Sequence, residues 1–242
     1  MIRALGMLFF WGIATLIVGP LGILFTLLTR DITLLYRVGT RLAITGVRLA
    51  GVQIEVRGLE RVVPGQSYIF MSNHASSLDP PILIPSIPGR CSVLVKKELF
   101  RIPILGTGMK LAQLVPVDRS NRESAIESVR AAVKVLRNGF HMVTFPEGTR
   151  TPTGGLLPFK KGPFHLAMDS GLPIIPVTIV GTYESWPKNR FSLRPGRAIV
   201  IFHEPIDTVS FSDRDALIET VRNSVASSLP PERRTPTLLT GQ

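Results

Sequence analysis

The sequence predicts an α/β fold in which a mainly parallel, twisted sheet is flanked by helices and preceded by a two-helix membrane anchor. After Gly51, runs rich in valine and isoleucine alternate with amphipathic stretches, and this alternation favours parallel strands joined by helices. Before that point, residues 4–29 contain no charged side chain. We therefore expect an anchor at residues 1–50, an α/β domain at 51–229 and a disordered tail at 230–242.

Length and composition restrict the class of protein. The 242 residues suffice for one domain with a buried core, and 45% hydrophobic against 19% charged residues excludes a disordered chain. A net charge of +11 favours an anionic partner, such as a phospholipid surface, nucleic acid or an acidic protein. The basic residues form no recognition helix or aromatic platform, so we expect no nucleic-acid partner. The single cysteine, Cys91, excludes an internal disulfide and fits a reducing, cytoplasmic setting.

The first 50 residues join an apolar run to a basic amphipathic one. Pro20, within Gly19-Pro20-Leu21-Gly22, predicts a kink or a break that leaves two arms too short to cross a bilayer core of ~30 Å. Downstream, apolar residues recur at helical spacing between arginines, as in interfacial helices: Leu34, Leu35, Val38, Leu42 and Val47, with Arg30, Arg37, Arg41 and Arg48. These features favour a monotopic anchor on the cytoplasmic face of the cell membrane, with a single span as the alternative.

The remaining chain is predicted to contain strands and helices in alternation. The expected strands are residues 53–57, 67–72, 91–95, 113–117, 141–145, 174–180 and 197–202. One helix is expected at residues 121–138, because Ser120 and Glu123 have the spacing of a capping box and Gly139 suits a helix end. Another is expected at residues 213–229, between Ser212 and a pair of prolines.

Charged or catalytic residue types follow four of these strands. Asn73 and His74 follow one, Lys96 another, Asp118 and Arg119 a third, and Pro146-Glu147-Gly148-Thr149-Arg150 a fourth. In a parallel sheet the carboxyl ends of the strands lie at one edge, where ligands bind in open α/β folds. We therefore expect a histidine, carboxylates and cations around one cleft, which is suited to a phosphorylated substrate.

His74 and Asp79 form the most specific candidate pair. On a continuous helix, side chains five positions apart would point roughly 140° from each other, so the pair can meet only across a turn. Asp79 precedes Pro80-Pro81, which predicts a helix start there. A histidine oriented by a carboxylate can remove a proton from a hydroxyl, and without a serine elbow or nearby cysteine that hydroxyl would belong to the substrate. The alternative is that Asp79 only caps a helix and His74 only closes a turn.

Four blocks of sequence resemble the 1-acyl-sn-glycerol-3-phosphate acyltransferase family. They are Asn73-His74 to Asp79 (N-H-x-x-x-x-D), Val115-Pro116-Val117-Asp118-Arg119, Phe145-Pro146-Glu147-Gly148-Thr149-Arg150 and Ile174-Ile175-Pro176-Val177. The resemblance extends over residues 52–202, so residues 51–229 would be the acyltransferase domain. The second block departs from the family pattern, which often has a glycine and a phenylalanine ahead of its charged pair.

This resemblance implies that a fatty acyl group moves from an acyl-CoA or an acyl carrier protein to the sn-2 hydroxyl of lysophosphatidic acid, which gives phosphatidic acid. His74 would be the general base and Asp79 would orient it, with backbone amides after Asp79 as oxyanion donors. The phosphate and glycerol would be bound by Lys96, Arg119, Glu147, Gly148, Thr149 and Arg150. Glu147 would hold Arg150 or the glycerol. Neither a metal nor a cofactor is implied.

Other functions remain open at this point. The acceptor could be glycerol 3-phosphate, another lysophospholipid or an amino-lipid, because the motifs address the phosphate and the hydroxyl more than the rest of the molecule. A thioesterase would use water in place of the acceptor. A catalytically inactive, membrane-bound anion-binding module is a further alternative, although intact His74, Asp79, Glu147 and Arg150 disfavour it. The expected partners are membrane lipids, with an acyl carrier protein if it is the donor; the sequence indicates no oligomeric state.

Overall fold

The computed structural model describes residues 1–117 and 122–235, without the side chains of residues 122–126. Seven strands form one sheet: β1 Val52–Arg57, β2 Ile69–Ser72, β3 Cys91–Lys96, β4 Val115–Val117, β5 His141–Thr144, β6 Ile174–Val180 and β7 Gly196–Phe202. Their order is β1-β7-β6-β2-β5-β3-β4, and β6 and β7 are the one antiparallel pair among them. The predicted α/β fold with a mainly parallel sheet is confirmed.

The helices are α1 Ile2–Thr29, α2 Thr33–Leu49, α3 Asp79–Ser86, α4 Leu105–Leu111, α5 Arg122–Arg137, α6 Gly162–Ser170, α7 Thr182–Ser185 and α8 Arg214–Ser227. The predicted helices at 121–138 and 213–229 correspond to α5 and α8. Asp213, not Ser212, caps α8, since its carboxylate accepts the N–H groups of Asp215 and Ala216. The capping box expected at Ser120 lies outside the described residues.

Both faces of the sheet are covered. Side chains alternate along a strand, so Phe70 packs into a core with α2 and α3, whereas its neighbours Ile69 and Met71 pack into a second core with α5, α6 and α8. All four residues of β2 and of β5 are buried. These two strands lie at the centre of the sheet, which gives the loops at their carboxyl ends a rigid base.

The predicted break at Pro20 is wrong, because α1 runs through it without interruption. The neighbouring glycines serve close packing instead. A Cβ at Gly19 would lie 2.3 Å from Cγ2 of Ile104, and a Cβ at Gly22 would lie 2.5 Å from Cδ1 of Leu35. One missing hydrogen bond at Pro20 is thus offset by contacts of α1 with α2 and with the segment before α4.

The two N-terminal helices form an antiparallel pair that contacts the α/β domain. The Nε1–H of Trp11 points at the carbonyl oxygens of Leu42 and Ala43 in α2, 3.3 Å from each. Tyr36 in α2 accepts the backbone N–H of Cys91 at the start of β3 at 2.8 Å. Length and hydropathy would allow α1 to cross a membrane, and large apolar side chains are exposed along it, Phe9 and Leu28 among them.

The first residues of the predicted disordered tail are structured. Pro231–Arg233 forms a turn of 3₁₀ helix, and the carbonyl of Arg233 accepts the N–H of Leu156 at 2.9 Å. The guanidinium of Arg233 pairs with Glu184 at 2.5 Å, which holds this turn against the domain. Residues 236–242 of the expected tail lie outside the described residues.

Candidate active site

Asn73 determines where the chain leaves β2. Its Oδ1 accepts the N–H of Ile179 at 2.8 Å, and its Nδ2 donates to the carbonyl of the same residue at 2.9 Å. This two-bond contact connects the end of β2 to the neighbouring strand β6 inside the protein, where Asn73 is buried. The backbone at His74, the next residue, is therefore held at the carboxyl edge of the sheet.

His74 and Asp79 meet across the turn as predicted. Nδ1 of His74 lies 2.8 Å from Oδ2 of Asp79, and the same oxygen accepts the backbone N–H groups of Ala75 and Ser76 at 2.7 and 2.8 Å. Asp79 is the first residue of α3 and is fully buried. An ionised carboxylate only accepts hydrogen bonds, so opposite an ionised Asp79 a neutral His74 would hold its proton on Nδ1 and its lone pair on Nε2.

The imidazole of His74 is positioned by an aromatic ring as well. Its ring is stacked on that of Phe145 with centroids 4.2 Å apart and planes 25° from parallel. The His74 side chain is 15% exposed, whereas Asp79 has no exposed surface. The pair thus combines a buried carboxylate with a histidine that a ligand can reach, the arrangement that a general base requires.

Glu147 joins the two motif loops from the inside. Its Oε1 accepts the N–H of His74 at 2.5 Å, and its Oε2 accepts the N–H of Leu157 at 2.9 Å. Only 2% of Glu147 is exposed, and this burial raises the pKa of its carboxyl to about 8, although the two backbone hydrogen bonds act in the opposite direction. The expected contact of Glu147 with Arg150 is not formed, because both carboxylate oxygens accept backbone N–H groups instead.

Arg150 contacts the other motif directly. Its Nη1 donates to Oγ of Ser77, in the His74–Asp79 turn, at 2.6 Å. Thr151, the next residue, donates its N–H to the carbonyl of His74 at 2.9 Å. The structure therefore brings together His74, Asp79, Glu147 and Arg150, as the sequence predicts.

Two lysines that are not among the predicted phosphate-binding residues lie around residues 148–150. Nζ of Lys188 donates to Oγ1 of Thr149 at 3.2 Å and to the carbonyl of Arg150 at 3.3 Å. The side chain of Lys160 lies across Gly148, which has φ +71°; a Cβ there would lie 2.9 Å from Cδ of Lys160. Lys188 lies 38 residues from Arg150 with no motif around it, so only the tertiary fold reveals it.

One predicted cation, Lys96, is not joined to this group. Lys96 ends β3 at the same edge of the sheet, but its side chain is 69% exposed and its Nζ lies 3.7 Å from Glu98. Arg119, together with Asp118, lies outside the described residues. No group of three or more histidine, cysteine or acidic side chains suited to a metal ion occurs in the part of the chain that the structure describes.

The oxyanion donors expected after Asp79 are not available. The N–H of Asp79 bonds to the carbonyl of Ser76 at 3.3 Å, and the N–H of Ile82 bonds to that of Leu78 at 3.1 Å. Pro80 and Pro81, between them, have no N–H. The same prolines that start α3 thus remove the donors of its first turn.

Comparison with known proteins places this site in context. The sequence model of the family described as "Acyltransferase" matches residues 53–180. The chain is 35% identical to a 1-acyl-sn-glycerol-3-phosphate acyltransferase of Cocos nucifera, over 69% of this chain and 55% of that protein. It is 36% identical to the alpha form of Mus musculus, over 70% and 61%. The chain thus spans 55 to 61% of the length of these relatives.

A solved structure matches over nearly the whole chain. The crystal structure of the 1-acyl-sn-glycerophosphate (LPA) acyltransferase PlsC from Thermotoga maritima superposes with a TM-score of 0.81. The two sequences are 28% identical, and the match covers 93% of this chain and 92% of that one. Because so much of both chains is included, the likeness extends beyond the sheet to the N-terminal helices.

Proposed function

Because this chain belongs to the acyltransferase family, we propose that it is a 1-acyl-sn-glycerol-3-phosphate acyltransferase of phospholipid biosynthesis. It transfers a fatty acyl group from an acyl thioester, acyl-CoA or acyl carrier protein, to the sn-2 hydroxyl of lysophosphatidic acid. The product is phosphatidic acid. The observation that carries the proposal is the contact of 2.8 Å between Nδ1 of His74 and Oδ2 of Asp79. It supports a base for an incoming hydroxyl, since the hydroxyl of Ser76, in the same turn, already donates to the carbonyl of Trp186 at 2.7 Å.

The reaction follows from the protonation state of this pair. Nε2 of His74 takes the proton of the sn-2 hydroxyl as the oxygen forms a bond to the thioester carbonyl carbon. The tetrahedral intermediate then expels the sulfur, and the imidazolium returns the proton to the leaving thiolate. Throughout, Asp79 stays ionised and stabilises the positive charge of the His74 ring. The products are the new ester and a free thiol, so protons and charges balance.

The phosphate of the acceptor binds, in this proposal, at residues 148–150. Arg150 is half-buried and contacts Ser77 in the His74–Asp79 turn. Its guanidinium would therefore lie next to the phosphate of an acceptor whose sn-2 hydroxyl is at His74. Lys188 adds a second positive charge at Thr149 and Arg150. Charge-assisted hydrogen bonds from arginine suit phosphate oxygens. Lys96 and Arg119 stay candidates for the same role, and Gly148 and Thr149 for the glycerol.

Glu147 positions the base in this account. It accepts the N–H of His74 and that of Leu157, so it connects the loop after β2 to the loop after β5. Its burial leaves little room for a direct contact with the acceptor.

The anchor places the enzyme at its lipid substrates. We propose a monotopic arrangement on the cytoplasmic face of the cell membrane. Arg3 at the start of α1 donates to the carbonyl of Ala50, and Gly19 lies against Ile104. These contact points are 16 residues apart, about 24 Å of helix, so α1 lies along the domain instead of projecting away from it. Its exposed apolar side chains would then enter one leaflet.

Product analysis tests the proposed function. The purified chain in detergent is given palmitoyl-CoA, or the palmitoyl carrier protein, with lysophosphatidic acid, glycerol 3-phosphate or lysophosphatidylcholine, and the lipids are identified by mass spectrometry. We expect phosphatidic acid from lysophosphatidic acid and little ester from the other acceptors. Preference for another acceptor would contradict the assignment of the substrate, and free fatty acid without any ester would favour a thioesterase.

A further inference from the structure

A basic cavity lies beyond the residues assigned above. It has a volume of about 290 Å³ and is lined by Tyr183, Glu184, Arg190, Arg194 and Arg233, together with Pro187 and Ser192. We call it the arginine cavity. Its volume is near the lower limit for small-molecule sites, which suits a cluster of phosphates better than a whole cofactor.

One of the three arginines that line the arginine cavity forms an ion pair, and the other two form none with the described residues. Arg233 is neutralised by Glu184 at 2.5 Å, and its guanidinium lies 5.1 Å from the centre of the Tyr183 ring. Arg190 and Arg194 are exposed, and within residues 1–117 and 122–235 neither forms an ion pair with an acidic side chain. The cavity therefore has two positive charges without a partner, and guanidinium groups bind phosphate in two-bond geometry.

The wall of this cavity continues into the candidate active site. Trp186 accepts the hydroxyl of Ser76 through its carbonyl, and Pro187 forms an isolated β-bridge with Ser76. The next residue, Lys188, contacts Thr149 and Arg150. Residues 186–190 thus lead from the His74–Asp79 turn to the arginine cavity.

We propose that the arginine cavity binds the phosphate groups at the nucleotide end of a coenzyme A thioester. The inference rests on the proposed function and deepens it, because it identifies the donor as acyl-CoA. The pantetheine arm would follow residues 186–190 and present the thioester to the hydroxyl that His74 activates. The acceptor phosphate is assigned to Arg150, so the two anionic ends of the substrates bind at separate cations. A concave site of this size fits a nucleotide phosphate cluster better than the broad surface of a carrier protein.

Two surface substitutions test the inference. The variant Arg190→Ala/Arg194→Ala should raise the KM for palmitoyl-CoA at least tenfold and leave the KM for lysophosphatidic acid unchanged. Arg190→Lys/Arg194→Lys should restore part of the loss. Arg137→Ala is the matched control, because Arg137 is an exposed arginine at the end of α5, before the amino end of β5 and so at the opposite edge of the sheet.

Direct binding separates this inference from the proposed function. Calorimetry with coenzyme A, which needs no turnover, should show at least tenfold weaker binding to the double alanine variant. 3′-Dephospho-coenzyme A should bind the unaltered chain more weakly than coenzyme A does. Its affinity should also fall less than that of coenzyme A when Arg190 and Arg194 are replaced by alanine. Unchanged affinity and KM would overturn the inference, as would a raised KM for lysophosphatidic acid alone, which would assign the cavity to a lipid headgroup. Absence of acyl transfer with intact, arginine-dependent coenzyme A binding would instead contradict the proposed function.

Discussion

Asp79 Oδ2 and His74 Nδ1 lie 2.8 Å apart although one residue begins a helix and the other lies in the preceding loop. The same oxygen accepts the N–H groups of Ala75 and Ser76, so a single buried atom both folds the turn and orients the imidazole that we propose as the base. In the proposed mechanism, stability and catalysis are therefore coupled at Asp79 but not at His74, whose ring is partly exposed. Substitutions at the two positions should differ for this reason.

Asp79→Ala is expected to reduce both activity and stability. Loss of the acceptor of three hydrogen bonds should lower the free energy of unfolding by roughly 2–4 kcal/mol, and turnover should fall by ~10²-fold or more. Asp79→Asn, whose amide oxygen can still accept backbone N–H groups, should recover much of the stability but little turnover. Denaturant unfolding and steady-state kinetics of both variants measure the two effects. An active Asp79→Asn variant would contradict the orienting role of the carboxylate.

Glu147 should make stability depend on pH. Burial raises the pKa of its carboxyl from 4.5 to about 8, so between these values the unfolded chain releases a proton that the folded chain retains. The contribution of Glu147 to the free energy of unfolding is complete below pH 4.5 and is lost as the pH rises to about 8. Over this range the free energy of unfolding should fall by at most about 1.4 kcal/mol per pH unit.

Glu147→Gln is therefore expected to flatten the curve of unfolding free energy against pH over this range. Glu219→Gln, which changes an exposed glutamate of α8, is the matched control and should leave the curve as it is. A slope in Glu147→Gln equal to that of the unaltered chain would show that Glu147 is already ionised in the folded protein.

Arg150 should matter more for acceptor binding than for chemistry. Arg150→Ala removes a charge-assisted contact and should raise the KM for lysophosphatidic acid about tenfold or more, with a smaller effect on kcat. The KM of Arg150→Lys for lysophosphatidic acid should lie between that of the unaltered chain and that of Arg150→Ala. The KM for palmitoyl-CoA serves as the internal control and should not change. If the KM for the acceptor also stays the same, Arg150 does not bind the phosphate.

Gly46 should be required for the packing of α1 on α2. A Cβ there would lie 2.2 Å from Nε1 of Trp11, whose indole is rigid and points at the carbonyls of Leu42 and Ala43. Gly46→Ala should therefore destabilise the protein by about 1–3 kcal/mol. Gly39→Ala, in the same helix with nothing within 4 Å of the added Cβ, should be neutral or stabilising. Equal melting temperatures of the two variants would contradict this packing.

Local patterns predicted the fold and the centre of the site well. Each expected strand lies within two residues of an observed one, because a parallel sheet buried on both faces requires continuous apolar runs. The His74–Asp79 contact was predictable because the helix start at Pro80-Pro81 and the five-residue spacing both belong to one turn.

The errors concern contacts between distant segments. The break at Pro20 was wrong because Gly19 and Gly22 allow contacts with Ile104 and Leu35 that sequence spacing cannot reveal. Likewise, the carboxylate of Glu147 accepts N–H groups from two loops, and Lys188 comes from a third, so neither contact has a local signature.

The central claim is that His74 activates a hydroxyl of the acceptor lipid. Thiol release from palmitoyl-CoA, measured with the purified chain in detergent with and without lysophosphatidic acid, tests it in one experiment with His74→Ala beside the unaltered chain. We predict release that depends on the lipid and falls at least ~10²-fold in His74→Ala, while its melting temperature stays close to that of the unaltered chain. Lipid-dependent release within a few-fold of normal in His74→Ala would contradict the assignment of the base.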